Sequence, residues 1–186
     1  MKTLLELIEE SPTRPAKGRW PSMKCGAIFS HCSSYRYVLW RVWGTGRSFA
    51  HINGLNPSEA NHIIDDPTIR REMTFSMSWG LDGLIKTNAF GFCATFPEDM
   101  KAHPEPIGLN NDLWIERARE LAADGYNIAA WGVDGAHRDR GSALAAKYAW
   151  RCFGLTKDGF PKHPLYLPAG TPLVPLNAPP AVNQFG

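Results

Sequence analysis

The sequence predicts an α/β domain: a three-layer α/β/α sandwich with a short, mostly parallel central sheet and an added N-terminal β-hairpin. Three observations carry that expectation. Short apolar runs alternate with segments of helical apolar spacing. Several of the runs stop abruptly in polar residues, as buried strands do where they reach a site. The chain of 186 residues is long enough for one well-filled core. Residues 1–186 are therefore read as a single domain, with 1–22 as an N-terminal segment and 168–186 as a Pro-rich tail.

Leu4, Leu5, Leu7 and Ile8 give Leu4–Glu10 the apolar side of a short helix, which Ser11-Pro12 ends. Thr13–Pro21, rich in Pro, Lys and Arg, is a connector. In it Arg14, Lys17 and Arg19 are either a solvated cluster or phosphate contacts. Gly26–Phe29 and Tyr35–Trp43 are two strands joined by His31-Cys32-Ser33-Ser34, and period-two alternation in the second marks a hairpin. Gly44-Thr45-Gly46 turns the chain into Phe49–Ser58. Phe49, Ala50, Ile52 and Leu55 make that run a buried strand. Pro57 ends it, because proline has no N–H for the ladder and keeps Asn56 out of the helical region.

Asp66 is an N-cap with Pro67 at the first helical position. The helix runs to Gly80, with Ile69, Met73 and Met77 toward the sheet and Arg70 and Arg71 outward. Gly83–Asn88 is the next strand, and an irregular loop carrying Phe90 and Phe92 follows to Gly108. Asn110-Asn111-Asp112 caps a helix that Asp124-Gly125 closes. Tyr126–Trp131 is a third strand. The turn Gly132-Val133-Asp134-Gly135 lacks the third glycine and downstream acid of a dinucleotide fingerprint. A helix over Ser142–Trp150 and a strand over Cys152–Leu155 lead to Lys162-His163-Pro164-Leu165-Tyr166. From Pro168 the chain reads as an extended tail.

A net charge of +2 and a pI near 8.4 permit nucleic-acid binding only through local clustering of charge. The four cysteines form no Cys-x-x-Cys pair, so free thiols are expected and no metal or other cofactor. Glu6, Glu9 and Glu10 interrupt any export-signal pattern, and no apolar run approaches a membrane span. The expectation is a cytoplasmic protein without a membrane partner.

Parallel strands put every carboxyl end on one edge of a sheet. That topology gathers Asn56, Asn88 and His163. An asparagine amide holds a water through its carbonyl oxygen but is a poor base. Its substrate must already be prone to leave, as a nucleobase is when it departs through an oxocarbenium-like state. Asn56 and His163 are then the catalytic candidates, with His163 hydrogen-bonding the charge on the departing base. Asn88 offers a donor and an acceptor to a flipped base, with Ser58 beside it and Phe90 or Phe92 stacking. Leu165 or Tyr166 would be the wedge in the vacated stack, and Arg70 and Arg71 the phosphate contacts. Asp65 and Asp66 are loop and cap residues, or aids to the water. Plain structural readings stand beside these: Asn56 as a turn former, His163-Pro164 as a turn, Phe90 and Phe92 as core, Arg70 and Arg71 as a solvated helix face.

Gly54-Leu55-Asn56-Pro57-Ser58, Asp66-Pro67-Thr68-Ile69-Arg70-Arg71, Trp79-Gly80, Thr87-Asn88-Ala89-Phe90, Trp131-Gly132 and Gly159–Tyr166 occur in that order. Together they resemble the bacterial and phage family called domain of unknown function 1643, over about Tyr35 to Leu167. More distantly, Gly54–Ser58 is similar to the Gly-Ile-Asn-Pro-Gly motif of the uracil-DNA glycosylase superfamily, whose asparagine positions the attacking water. Asn88 falls where classical members place a base-reading asparagine. Lys162-His163-Pro164-Leu165 resembles their final motif, although Leu165 stands where a serine is usual. The resemblance implies a uracil-DNA-glycosylase-like fold and a DNA glycosylase-like hydrolase that flips a damaged or modified base. Its partner would be nucleic acid, DNA first, or a nucleotide. Two alternatives stay open: a non-catalytic module recognising a modified base, and an enzyme acting on a free nucleotide in phage DNA modification or defence.

Overall fold

Phe49, Ala50 and Ile52 are almost wholly shielded from solvent, and that burial sets β4 (Phe49–Gly54) at the middle of the fold. β4 runs parallel to β5 (Gly83–Asn88) on one side and to β6 (Ala122–Ala129) on the other. β7 (Trp150–Cys152) continues the parallel block beyond β6. Beyond β5 the chain adds β3 (Arg36–Val42), β2 (Met23–Phe29) and β1 (Thr13–Arg14), all antiparallel to their neighbours. Beyond β7 it adds the antiparallel β8 (Val174–Leu176). The structure, a computed structural model, describes residues 2–58 and 60–176. Among these, eight strands form one sheet in the order β1-β2-β3-β5-β4-β6-β7-β8.

This corrects the expected mostly parallel sheet. Three pairings are parallel and four antiparallel, so the sheet is mixed and mostly antiparallel. The hairpin is not an appendage: Leu39–Val42 of β3 pairs with Gly83–Lys86 of β5 and joins the hairpin to the sheet. Part of the Pro-rich tail covers the free edge of β7, and Pro175 is tolerated there because β8 is an edge strand. Residues 177–186 of the expected tail lie outside the described residues.

The helices are α1 (Leu4–Glu10), α2 (Pro67–Ser78), α3 (Pro97–Ala102), α4 (Asn111–Glu120) and α5 (Arg140–Lys147), with a 3-10 segment at Val133–Asp139 before α5. α1 has the expected span and a capping box, in which Thr3 Oγ1 accepts from the Glu6 amide while the Glu6 carboxylate accepts from the Thr3 amide. Asp66 Oδ1 caps α2 through the Ile69 amide at 2.8 Å, worth about 1 kcal/mol. α3 lies inside the stretch expected to be irregular. β6 begins at Ala122, earlier than expected, and Trp150 opens β7 instead of closing a helix.

Alternation in the strands builds two apolar faces. Leu39, Ala50, Ile52, Leu84 and Ile128 pack with Ile69 and Met73 of α2. Val38, Trp40, Phe49 and Ile85 pack with Leu4 and Ile8 of α1 and with Trp114 and Ala118 of α4. Each such aliphatic side chain contributes about 1.5–3 kcal/mol by leaving water. A third cluster joins Ala129, Trp131 and Trp150 to Met100 of α3, Ile115 of α4 and Leu144 of α5. Both sheet faces are thus closed, and the open ground lies at the carboxyl ends of the parallel strands.

Candidate active site

A cleft of about 450 Å³ opens at those strand ends. Asn56 and Ser58 after β4, Lys86 and Asn88 of β5, Asp66 and Thr68 at the start of α2, Trp131–Asp134 after β6, and His163 all line it. The size suits a small organic ring system. Asn56, Asn88, His163 and Ser58 thus share one cavity.

Asn56 is held by its nitrogen. Nδ2 donates to the carbonyl oxygens of Ala94 at 2.8 Å and Pro57 at 3.1 Å. Two carbonyls on one side of the amide fix its orientation, because the amide oxygen cannot face them. Oδ1 has no hydrogen-bond partner among the described residues and is available to a water or a ligand.

Asn88 is 1 % exposed, and among the described residues its side chain makes no hydrogen bond and the buried Nδ2 has no partner. Its backbone, by contrast, is clamped. Asn111 Nδ2 donates to the carbonyls of Asn88 and Ala89 at 3.0 and 3.1 Å, and Arg140 Nε donates to Ala89 at 2.8 Å. Leaving a buried amide unsatisfied costs about 1–3 kcal/mol, which a ligand can recover. Asn111 was expected among the helix-capping residues; instead it is fully buried and supports β5.

His163 is exposed within the cleft, yet the surrounding protein still disfavours its charged form. Desolvation by the protein packed around the ring, and next the charge of Lys86, lower its pKa to about 4, with Asp66 opposing. The Leu165 amide donates to Nδ1 at 3.3 Å, so the neutral ring carries its hydrogen on Nε2. His163 is therefore a neutral N–H donor at ordinary pH, not an imidazolium.

The floor carries charge that the sequence reading did not single out. Lys86 Nζ lies 2.5 Å from Glu72 Oε1, both side chains being almost completely buried. Burial raises the Glu72 pKa while Lys86 works against it. Arg36 donates to the Ala60 carbonyl, and its Nε is buried without a partner. A Cβ on Gly54 would sit 2.6 Å from Lys86 Nζ and 3.1 Å from Asn88 Oδ1, so glycine here leaves space for both side chains. Asp134 is paired with Lys101 at 2.5 Å.

Other expected site residues lie elsewhere. Phe90 is completely buried in the third cluster, and Phe92 stacks on His103 with ring centroids 3.9 Å apart; neither lines the cleft. The aromatic residue that does is Trp131. Asp65 pairs with Arg14 and Arg41, leaving Asp66 as the acid of that pair in the cleft. Arg71 donates to the Leu167 carbonyl and lies over the Phe75 ring, tying the segment after His163 to α2. Arg70 is exposed, Leu165 is half-buried and Tyr166 is 91 % exposed.

Residues 36–165 match the family described as "Protein of unknown function (DUF1643)". The chain belongs to that family. No curated protein and no solved structure matches it. The DUF1643 segment contains every residue placed in the cleft, whereas α1, β1 and β2 lie before it. No helix among the described residues is long and apolar enough to cross a membrane.

Proposed function

We propose that this DUF1643 protein is a DNA glycosylase-like hydrolase that cleaves the base–sugar bond of a damaged or modified base flipped into the cleft. The observation that carries this reading is the meeting of Asn56, Asn88 and His163 in one cavity, each with an unused hydrogen-bonding atom.

In this reading Asn56 Oδ1 holds the attacking water. Asn88 reads the base edge, and Trp131 supplies the apolar wall that Phe90 and Phe92 were expected to form. The C1′–N bond breaks with its electron pair going to the base, and Nε2–H of His163 stabilises the charge that develops there. The water adds its oxygen to C1′. Its protons end on the sugar hydroxyl and, through solvent or Asp66, on the departed base. Tyr166, exposed just past His163, suits the wedge that enters the vacated stack. The likeness to the three-layer uracil-DNA glycosylase sandwich belongs to the same proposal. Its support is the parallel block of β5, β4, β6 and β7 with helices packed on both faces.

The test is incubation of folded protein with single- and double-stranded DNA carrying uracil, mismatches or modified bases, followed by alkaline cleavage at abasic sites. Strand breaks at the modified position support the reading, and intact strands across the panel reject it.

A second reading, a module that binds a modified base without cleaving it, is favoured by one observation: no carboxylate hydrogen-bonds to Asn56 among the described residues. It requires the Asn56→Ala variant to bind the same oligonucleotides as the wild type, with no base released by either.

A further inference from the structure

A second groove of about 790 Å³ is lined by Arg14–Trp20, Ile63, Ile64, Asp65 and Arg70. Its walls carry four cations, Arg14, Lys17, Arg19 and Arg70, and one carboxylate, Asp65. Asp65 is neutralised between Arg14 and Arg41, both at 2.6 Å. Lys17, Arg19 and Arg70 are exposed and form no ion pair among the described residues. For a chain of net charge +2 this is a marked local concentration of positive charge.

The groove is also built to hold its shape. Lys17 and Trp20 exchange backbone hydrogen bonds of 3.0 and 3.1 Å, closing a tight turn with Gly18 at φ +59°. The Arg19 guanidinium lies 4.4 Å from the Trp20 ring centroid. Three arginines grip the segment Ala60–Ile64 by its carbonyls: Arg36 at Ala60, Arg41 at Asn61 and Ile64, and Arg14 at Ile63. Asn61 Oδ1 accepts from the amides of Ile63 and Ile64 at 2.8 and 2.9 Å. Yet the two isoleucine side chains point outward, 63 % and 58 % exposed. A firmly held segment that presents paired apolar side chains at the rim of a cationic groove matches the two faces of a nucleic-acid strand. The groove adjoins the cleft at consecutive residues, since Asp65 lines the first and Asp66 the second.

We propose that this groove carries the sugar–phosphate backbone of the nucleic-acid strand whose flipped nucleotide occupies the cleft, with Lys17, Arg19 and Arg70 on phosphates and Ile63 and Ile64 against bases. The inference rests on the reading of the cleft as a base pocket. Lys17 and Arg19 precede the DUF1643 segment, so this strand path is partly built from residues outside it.

The experiment is fluorescence anisotropy of the intact chain with a fluorescein-labelled oligodeoxynucleotide, single- and double-stranded, over a series of NaCl concentrations. The Lys17→Ala/Arg19→Ala/Arg70→Ala variant is expected to bind at least about tenfold more weakly at low salt. The slope of log K against log salt should flatten by about 2 on single strands, at about 0.7 per lost phosphate contact. Ile63→Ser/Ile64→Ser should weaken binding with the slope unchanged, because apolar contacts release no counterions. Wild-type affinity and slope in the triple variant, or no binding by the wild type, would overturn the proposal. Salt-insensitive DNA binding with capture of polyglutamate would overturn it in favour of an acidic protein partner. The two readings fail separately. Salt-dependent binding lost in the triple variant, with no base released by the wild type, upholds the groove and sinks the glycosylase. Base release alongside an unaffected triple variant does the opposite.

Discussion

Asn56 Nδ2 lies 2.8 Å from the carbonyl oxygen of Ala94, and this bond turns the side chain of a strand-ending residue into a fixed acceptor facing the cleft. An Asn56→Asp substitution puts a carboxylate oxygen against that carbonyl. At pH 7 it should cost about 1–2 kcal/mol in urea denaturation, more than Asn56→Ala. The new carboxyl has its folded pKa raised above the unfolded value, because only the protonated form can donate to Ala94. Its share of stability is therefore present at low pH and lost as pH rises through the folded pKa. The deficit should shrink on going from pH 7 to about pH 4. Equal stability of Asn56→Asp and wild type at pH 7 would show that the Ala94 bond does not orient the residue.

With its pKa near 4, His163 is neutral throughout the physiological range. The single-turnover rate of base release should then be flat from about pH 5 to 8, with an acid limb only near pH 4. His163→Gln, which keeps a donor, should lose less rate than His163→Ala. A limb centred near pH 6.5 in the wild type and absent from both variants would mean that an imidazolium does the work.

Behind the cleft, His51 is completely buried and hydrogen-bonded through both ring nitrogens. Asn53 Nδ2 donates to Thr87 Oγ1, the Thr87 hydroxyl to His51 Nε2, His51 Nδ1 to Asn127 Oδ1, and Asn127 Nδ2 to the Arg119 carbonyl. Every link is filled by a neutral ring, and burial lowers the pKa from 6.5 to about 3. A histidine with a depressed folded pKa contributes stability that is present above its unfolded pKa and lost as pH falls toward the folded one. Between pH 7 and 5 this residue should cost the wild type about 2 kcal/mol. His51→Gln should lack that increment, as urea titrations at the two pH values would reveal. An identical pH dependence in both proteins would contradict the buried neutral network.

The buried Lys86–Glu72 pair sits directly beneath Gly54. Removing one partner leaves the other charge buried and alone, which costs about 3–5 kcal/mol. Lys86→Met should therefore be severely destabilised in urea, while Lys86→Met/Glu72→Leu should recover most of the loss. A near-neutral single variant would mean that solvent already reaches the pair.

Much of this was legible in the residues. Leu4–Glu10, the Asp66-Pro67 start of α2, the start of β4 and the bounds of β5 follow local rules of capping, proline geometry and apolar runs, and they lie where expected, while β4 stops at Gly54, before Leu55 and the expected stop at Pro57. The clustering of Asn56, Asn88 and His163 follows from a topological rule about parallel strands, which holds even though the sheet as a whole is mixed. Trp131 follows β6 on the same edge and lines the cleft, but the rule was applied only to polar strand ends and stacking was assigned to Phe90 and Phe92. What stayed hidden depends on partners distant in sequence. Arg36 and Lys86 look like ordinary polar positions within strands, and only their contacts with Ala60 and Glu72 make them part of the floor. Asn111 looks like a helix cap until Asn88 is seen against it. The strand β8 could not be read from a Pro-rich tail, because its pairing depends on the free edge of β7.

The most direct measurement is mass spectrometry of free base released from a panel of modified oligonucleotides by wild type and by Asn56→Ala, both checked for folding. The account predicts free base from at least one substrate with the wild type and a drop of about 10²–10³-fold with Asn56→Ala, the scale of losing one preorganised polar group at a reaction centre. Release that is unchanged in Asn56→Ala, or no base from any substrate with folded wild-type protein, would contradict it.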